Sequence, residues 1–247
     1  MPDPHRRRIQ EEFERTARLF SERSAGRFDE LGAVEFSRVR PGARVVEVAG
    51  GTGNFISKFA EITDDLTIVD LTEGMLRVAR ENHPDIQLVA GDGARLPLRS
   101  GSVDLAMTAQ ALHHIHEPVP VIKEMRRVIR SDGCVLVVDQ VATEKLEEVE
   151  ALTELEIVRD PSHAVSRPPS ALRMVVQAAG LEIVDEKIHV GEQTLSSWMW
   201  PGEFPQERID AVREWIERWG HKTGKGFRRE GEDWSFTRRR MMILARR

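Results

Sequence analysis

The segment Glu47-Val48-Ala49-Gly50-Gly51-Thr52-Gly53 carries the clearest chemical signal in the sequence. Glycine lets a backbone bend sharply and pass close to a ligand, because it lacks a Cβ and tolerates positive φ. Two nucleotide-type cofactors use such a bend after a strand. A dinucleotide fingerprint reads G-x-G-x-x-G, so that a helix N-terminus receives a pyrophosphate. Here Gly51 and Gly53 fit, but the third position is Ile56. Glu47, inside the strand end, would repel phosphates and attract a cation such as the ammonium of an amino acid. Together these features favour S-adenosylmethionine over a nicotinamide dinucleotide. Asp70, after a second apolar run, can accept hydrogen bonds from both hydroxyls of a ribose, which suits either cofactor. Asp92, in Gly91-Asp92-Gly93-Ala94 after a third run, can accept from an adenine amino group. The bland reading of these acids is a structural carboxylate at Glu47 and helix caps or surface turns at Asp70 and Asp92. Their common register with successive strand ends favours a row along one extended cofactor.

A second set of residues suits the transfer itself. Methyl transfer is an in-line displacement, for which orientation can be worth about 7–11 kcal/mol. A base helps a hydroxyl nucleophile by about 10²–10⁴-fold. His113 and His114 follow the fourth apolar run and Asp139 ends the fifth. Adjacent strands would let Asp139 orient one imidazole, and a neutral histidine is poised as a base near neutral pH. His114 is the preferred candidate; the competing reading has either histidine capping a helix or packing on the sheet. His116 does not complete a metal site, since the spacing does not place three ligands on one helix face and the single Cys134 adds none, so no metal is expected. His163, in a Pro-containing turn, reads as a solvated residue, and Cys134 as an inert core residue. Trp198 and Trp200 suit a pocket for an aromatic or polycyclic acceptor, whereas Trp215 and Trp219 read as cover for the sheet. The basic runs Arg6-Arg7-Arg8 and Arg238-Arg239-Arg240 read as solvated charged faces.

These residues need a scaffold of alternating strands and helices. Ile9, Phe13, Ala17 and Phe20 recur at helical spacing within 5–24, and a second helix is expected over 28–38. Short apolar runs at 43–49, 66–69, 86–89, 103–107 and 134–138 predict strands. Helices are expected over 54–62, 72–82 and 118–130. The alternation implies βαβ units in a parallel, doubly wound, Rossmann-like α/β sheet covered on both faces, with its ligand site at the carboxyl ends of the strands. Further on, helices are expected over 144–158, 169–179 and 205–219, and strands over 181–190 and 237–245. The expected organisation is a helical N-terminal cover at 1–40, a cofactor-binding core at 41–191, a helical, aromatic acceptor lid at 192–236 and the last strand at 237–247.

Taken in order, Glu47 to Gly53, Val69-Asp70-Leu71-Thr72-Glu73-Gly74-Met75-Leu76, Gly91-Asp92-Gly93-Ala94-Arg95-Leu96-Pro97 and Ala111-Leu112-His113-His114-Ile115 resemble the successive motifs of class I S-adenosylmethionine-dependent methyltransferases. The group they resemble is the ubiquinone/menaquinone-type methyltransferases, in an uncharacterised bacterial branch of it. The resemblance covers about residues 43–141 and is weaker on both sides. It implies a seven-stranded sheet, mostly parallel, with an antiparallel last strand. It also implies S-adenosyl-L-methionine as cofactor and S-adenosyl-L-homocysteine as product. By the same resemblance, Glu47 and the backbone of Gly51 and Gly53 hold the methionine part, and Asp70 holds the ribose with Leu71 and Met75 beside it. Asp92 and Gly93 meet the adenine, and Gln110 lies near the methionine end. Ala49 departs from the glycine usual there, so cofactor binding is expected to be weakened but not abolished. Quinone-specific branches carry other residues at His113-His114.

Composition bounds the alternatives. The chain has 247 residues, of which 40% are hydrophobic and 31% charged, ordinary for a folded globular protein. With Lys+Arg 36 against Asp+Glu 41 the net charge is -5, so no global basic field for nucleic acid exists. One cysteine excludes an internal disulfide framework, and no apolar run approaches a membrane span. The expectation is a cytoplasmic enzyme acting on a small-molecule acceptor, without nucleic-acid or membrane partners, as a monomer or homodimer. The alternatives are an RNA methyltransferase, for which the Asn/Asp-Pro-Pro-aromatic motif is missing at Thr108-Ala109-Gln110-Ala111, and a catalytically silent cofactor-binding protein.

Overall fold

The computed structural model describes residues 4–199 and 204–247. Strand β1 (Val45–Val48) is buried at every position, as a β-branched run covered on both faces should be. It pairs in parallel with β2 (Leu66–Asp70) and β4 (Val103–Ala109), while β3 (Gln87–Ala90) extends the sheet beyond β2 and β5 (Ile129–Gln140) extends it beyond β4. Strand β6 (Glu182–Thr194) lies at the far edge. Strand β8 (Asp233–Arg246) fits between β5 and β6, antiparallel to both. The order is β3-β2-β1-β4-β5-β8-β6. Beyond these seven strands, the three-residue β7 (Arg228–Glu230) folds back onto β8 as an eighth. The strand order reverses between β1 and β4, which opens a crevice at their carboxyl ends.

Helices cover both faces. On one, α4 (Val119–Val128) and α6 (Pro169–Ala178) bury Ile122, Met125 and Val176 against Val46 and Val137. On the other, α2 (Ala33–Ser37) and the glycine bend bring Phe55, Ile56 and Phe59 against Val45, Ile68 and Met107. Helix α1 (Pro4–Ser24) packs Phe13, Ala17 and Phe20 on Met75 and Val78 of α3 (Glu73–Asn82). A separate apolar cluster joins α5 (Leu146–Arg159), α7 (Leu195–Trp198) and α8 (Gln206–Trp219) to β8 through Leu155, Trp198, Ile216 and Phe236.

The sequence expectations differ from this fold at a few places. The helix expected over 54–62 is a single 3-10 turn, Ile56–Phe59, because the glycine bend uses the residues that would form its first turn. The helix expected over 28–38 breaks at Gly32, whose φ is 62°. Strand β8 begins at Asp233, not 237, because its first residues pair with the end of β6, Thr194 opposite Ser235. Strand β5 runs through Asp132-Gly133 by shifting register between Val103–Ile129 and Leu105–Cys134. Cys134, expected in the core, is only half-buried and accepts a contact from Arg246 Nε at 3.5 Å. Among the described residues, no helix is long and apolar enough to cross a membrane.

Candidate functional site

The carboxyl ends of β1 to β4 open on a cleft of about 580 Å³. Glu47, Ala49 and Gly51 line it from the first bend, Asp70, Leu71 and Met75 from the second, and Asp92, Gly93 and Gln110 from the next two. Gly53 is set back from the cleft. At φ 81°, with a Cβ that would sit 2.9 Å from Ile68 Cδ1, it serves the bend and its packing.

The acids are held by local backbone. Glu47, 2% exposed, accepts a hydrogen bond at Oε2 from the Ile56 N–H at 3.0 Å, so it caps the turn that follows the bend. Burial raises its pKa well above the ordinary carboxylate range, and Asp70 adds to this against the Ile56 bond. Asp70 accepts from Gly51 N–H at Oδ2 and from Thr72 N–H at Oδ1, both at 2.8 Å, tying the first bend to the second strand end. Burial raises its pKa too, while these amides pull it back. Asp92 accepts from Ala94 N–H at 2.9 Å and pairs with Arg6 of α1. Helix α1 thus lies across the cleft, where Gln10 donates to the Leu71 carbonyl at 3.2 Å and Glu14 accepts from Gly74 N–H at 2.7 Å. Arg6 is exposed, as expected, and from there pairs with the outer carboxylate.

Two non-glycine residues at the cleft, Ala49 and Gln110, hold φ of 54°. Left-handed backbone costs a residue with a Cβ about 1–2 kcal/mol. Gln110 accepts from Arg27 Nη2 at 2.7 Å, while its Nε2, like Thr52 Oγ1, is buried without a partner. The cleft lies within the roughly 300–1,000 Å³ typical of small-molecule sites. At Gly93 a Cβ would come 3.0 Å from Val48 Cγ1, so the wall is already closed to larger residues. Two buried carboxylates with no ion pair among the described residues, together with buried polar atoms that have no partner among them, fit a cationic ligand that also carries hydroxyls and an adenine.

Above the cleft, Asp139 Oδ1 meets His113 Nδ1 at 2.6 Å and its Oδ2 accepts the His113 N–H at 2.9 Å. Burial pushes Asp139 up to about 6. Burial, and then the neighbouring His114, hold His113 well below the usual imidazole range. The carboxylate therefore orients His113, one residue before the imidazole preferred as a base. His114 Nδ1 lies 3.0 Å from the Ser162 carbonyl, so it donates there and leaves its Nε2 as an acceptor. Ser162 Oγ donates to Asp160 Oδ1 at 2.6 Å. Burial raises Asp160, but His114, Arg159 and the Ser162 bonds outweigh it and hold the carboxyl below its usual range. His163 is not solvated: it is buried, with Nε2 3.2 Å from Ser166 Oγ, and burial lowers it to about 3. No group of three or more His, Cys, Asp or Glu is placed to hold a metal ion among the described residues.

Residues 46–137 match the family model described as a methyltransferase domain. This segment is a methyltransferase domain. A demethylmenaquinone methyltransferase of Renibacterium salmoninarum is 35% identical over 111 residues, 45% of this chain and 44% of that protein. The chain thus aligns with less than half the length of that curated relative. Among solved structures, the YcgJ protein of Bacillus subtilis shares the fold with a TM-score of 0.75 at 22% identity, covering 87% of this chain and 97% of that one. Phosphoethanolamine N-methyltransferase 2 of Haemonchus contortus, in complex with S-adenosyl-L-methionine, has a TM-score of 0.58 at 16% identity over 86% of this chain and 50% of that one.

Next to the methyltransferase domain's cleft is a smaller chamber of about 180 Å³. The two share Phe13, Phe20, Gln110 and His114 as a common wall. His113 lines the chamber alone, and Asp139 lies behind it. The far walls are Trp198 and Phe204, with Arg27, Arg159 and Arg238 between them. Trp200 lies outside the described residues. Trp215 packs at the edge of the apolar cluster around Trp198. Trp219 is 46% exposed with Lys222 Nζ 4.4 Å over its ring, so it does not cover the sheet as expected. The Arg238–Arg240 run is likewise no solvated face, since Arg240 is 4% exposed and donates to the Arg27 carbonyl. Sequence reasoning missed Phe13, Phe20, Arg27, Arg159 and Arg238 as lining residues. The period-two alternation of β8, which puts Arg238 and Arg240 on the same face as the buried Phe236 and Met242, was the signal available for two of these arginines.

Proposed function

We propose that this chain is an S-adenosylmethionine-dependent methyltransferase whose small-molecule acceptor sits in the chamber beside the cofactor cleft. The observation that carries the reading is the shared wall of Phe13, Phe20, Gln110 and His114: the two cavities meet where a methyl group would have to cross. In this reading Glu47 faces the cofactor's ammonium, and the Ala49–Gly51 backbone follows its methionine part. Asp70 accepts from the ribose, with Leu71 and Met75 beside it. Asp92 and Gly93 flank the adenine, and Gln110 closes the methionine end. When bound, the cofactor supplies an electrophilic methyl on a sulfonium.

The chain's own residues do the rest. The chamber aligns the nucleophile by excluding other orientations. His114 Nε2 takes the proton of a hydroxyl acceptor, and Asp139 and Asp160 on either side offset the charge that appears on its ring. His113, pinned by Asp139 with its ring centre 4.2 Å from that of His114, holds the base in place. The chamber's volume of about 180 Å³ suits a single ring system better than a fused polycycle. A quinone acceptor is not carried over from the relatives, because Phe13, Phe20, Arg159, Trp198, Phe204 and Arg238 all lie outside the matched residues 46–137.

The test is incubation with methyl-labelled S-adenosylmethionine, a metabolite extract and, separately, total RNA. Label is expected in a small molecule. Label in RNA would replace this reading with the RNA one, and no label in either would contradict methyl transfer.

A further inference from the structure

Beyond the chamber a third cavity of about 450 Å³ opens toward the surface. It joins the chamber at Arg27, Gln193, Ser197 and Arg238. Two guanidiniums at this junction keep buried N–H groups that have no hydrogen-bond partner among the described residues. Arg27 spends Nη2 on Gln110, while its Nε is buried without a hydrogen-bond partner. Arg238 has a buried Nη2 with no partner and, among the described residues, no ion pair. Three more guanidiniums, those of Arg23, Arg159 and Arg208, have their Cζ atoms 5.7–6.0 Å from the Phe204 ring centre.

Among the described residues the nearby acids have other partners: of those lining the outer cavity, Glu30 pairs with Arg240 at 3.8 Å, Glu192 pairs with Arg228, and Glu230 accepts from Ser235 Oγ. Glu156 pairs with Arg159 at 3.0 Å and Lys225 at 3.9 Å. Glu12 pairs with Arg15 at 2.7 Å and Arg208 at 3.2 Å. Asp160 accepts from Ser162. Burial, followed by Arg238, Arg23, Arg240 and Arg159, works against the charge on Arg27. A guanidinium cannot escape by losing its proton, so burying unpaired N–H groups on it is costly. A ligand anion would satisfy both side chains, because the guanidinium fork matches carboxylate and phosphate oxygens.

We propose that the acceptor is an anionic small molecule, its carboxylate or phosphate held by Arg27 and Arg238 where the chamber meets the outer cavity and its nucleophile directed back toward His114. This rests on the methyltransferase reading and specifies its substrate class. The apolar body of the acceptor lies against Phe20, Trp198 and Phe204, between the anion site and the transfer seam. The outer cavity is the way in.

The experiment is calorimetric. Protein saturated with S-adenosylhomocysteine is titrated with benzoate and with phenyl phosphate, and in parallel with the neutral benzamide and phenol. The anions are expected to bind about tenfold tighter or better than the neutral probes, and the stronger of the two separates carboxylate from phosphate. Arg238→Gln is expected to lose about 10–100-fold of anion affinity, with S-adenosylhomocysteine and neutral-probe binding unchanged. If that variant does not fold, Arg27→Gln carries the same expectation for the anions. Anions that bind no better than the neutral probes, or that do not bind at all, overturn the proposal. Absence of S-adenosylhomocysteine uptake counts against the methyltransferase reading alone, and the same titrations on the unloaded protein then decide the anion site.

Discussion

The cleft proposed for the cofactor and the chamber proposed for the acceptor touch along one wall, yet they are built in opposite ways. The floor of the cleft comes from consecutive strand ends within residues 46–137 and carries the acids Glu47, Asp70 and Asp92, with α1 lying across it. The chamber is assembled from α1, the end of α5, the segment after α7 and the middle of β8, and carries mainly positive ones. Each acid of the cleft is fixed by amides within a few residues of a bend, as Asp70 is by Gly51 and Thr72. The guanidiniums of the chamber come from segments far apart in the chain: Arg23 from α1, Arg27 after it, Arg159 from the end of α5 and Arg238 from β8. A site made of successive βα turns can be inherited as a block, whereas a site made of distant segments can be changed without disturbing it. The family match over residues 46–137 accordingly covers the strand ends of the cleft and, of the chamber, only Gln110, His113 and His114.

Four substitutions test that division. The largest effect is expected at the seam. His114→Ala should lower turnover of a hydroxyl acceptor by about 10²–10⁴-fold and leave cofactor affinity unchanged, as read by steady-state kinetics and calorimetry. Equal loss of cofactor affinity would show that the seam is not a boundary. Next, Asp70→Ala should weaken cofactor binding by about 10–100-fold, the worth of hydrogen bonds to a charged group. Binding of anionic probes in the chamber should persist in that variant.

Asp139 gives a pH signature. Its folded pKa of about 6 lies above the ordinary value of 3.8, so the folded state holds the extra proton between these values. Stability contributed by that proton is complete below about pH 4 and lost as pH rises through about 6. Activity runs the other way, because the ionised carboxylate orients His113. Turnover should fall as pH drops through about 6, and Asp139→Asn should remove that limb while flattening the stability profile measured by thermal melts. The smallest effect is at Ala49. Relieving its left-handed backbone with Ala49→Gly should raise stability by about 1 kcal/mol, without altering acceptor preference. A melting temperature that falls would mean the methyl group is packed, not strained.

The cleft was legible because its signals are local. Gly50, Gly51 and Gly53 mark the bend, and Asp70 and Asp92 stand immediately at their strand ends, so reading one turn at a time sufficed. Arg6 on Asp92 was not legible, since nothing in the spacing of α1 says which carboxylate it meets. Which imidazole Asp139 orients was not legible, since both histidines follow β4; it is His113, which depends on a register between β4 and β5 that shifts mid-strand. His163 read as solvated because a Pro-containing turn is commonly exposed. It is buried here because the turn backs onto the loop after β4, where the Ala164 N–H reaches the His113 carbonyl at 2.9 Å. The three-arginine run on β8 looked like a charged surface, because the cover that buries it is formed by segments far away in sequence.

The central claim is that buried acids at successive strand ends hold a cationic, adenosine-bearing donor. Its most direct test is calorimetric titration with S-adenosylmethionine near neutral pH in two buffers of different ionisation enthalpy. Because burial raises Glu47 and Asp70 above their ordinary range in the free protein, a cation that favours their ionised forms should bind one per chain without net uptake of protons. No binding, or binding accompanied by proton absorption, would contradict the account.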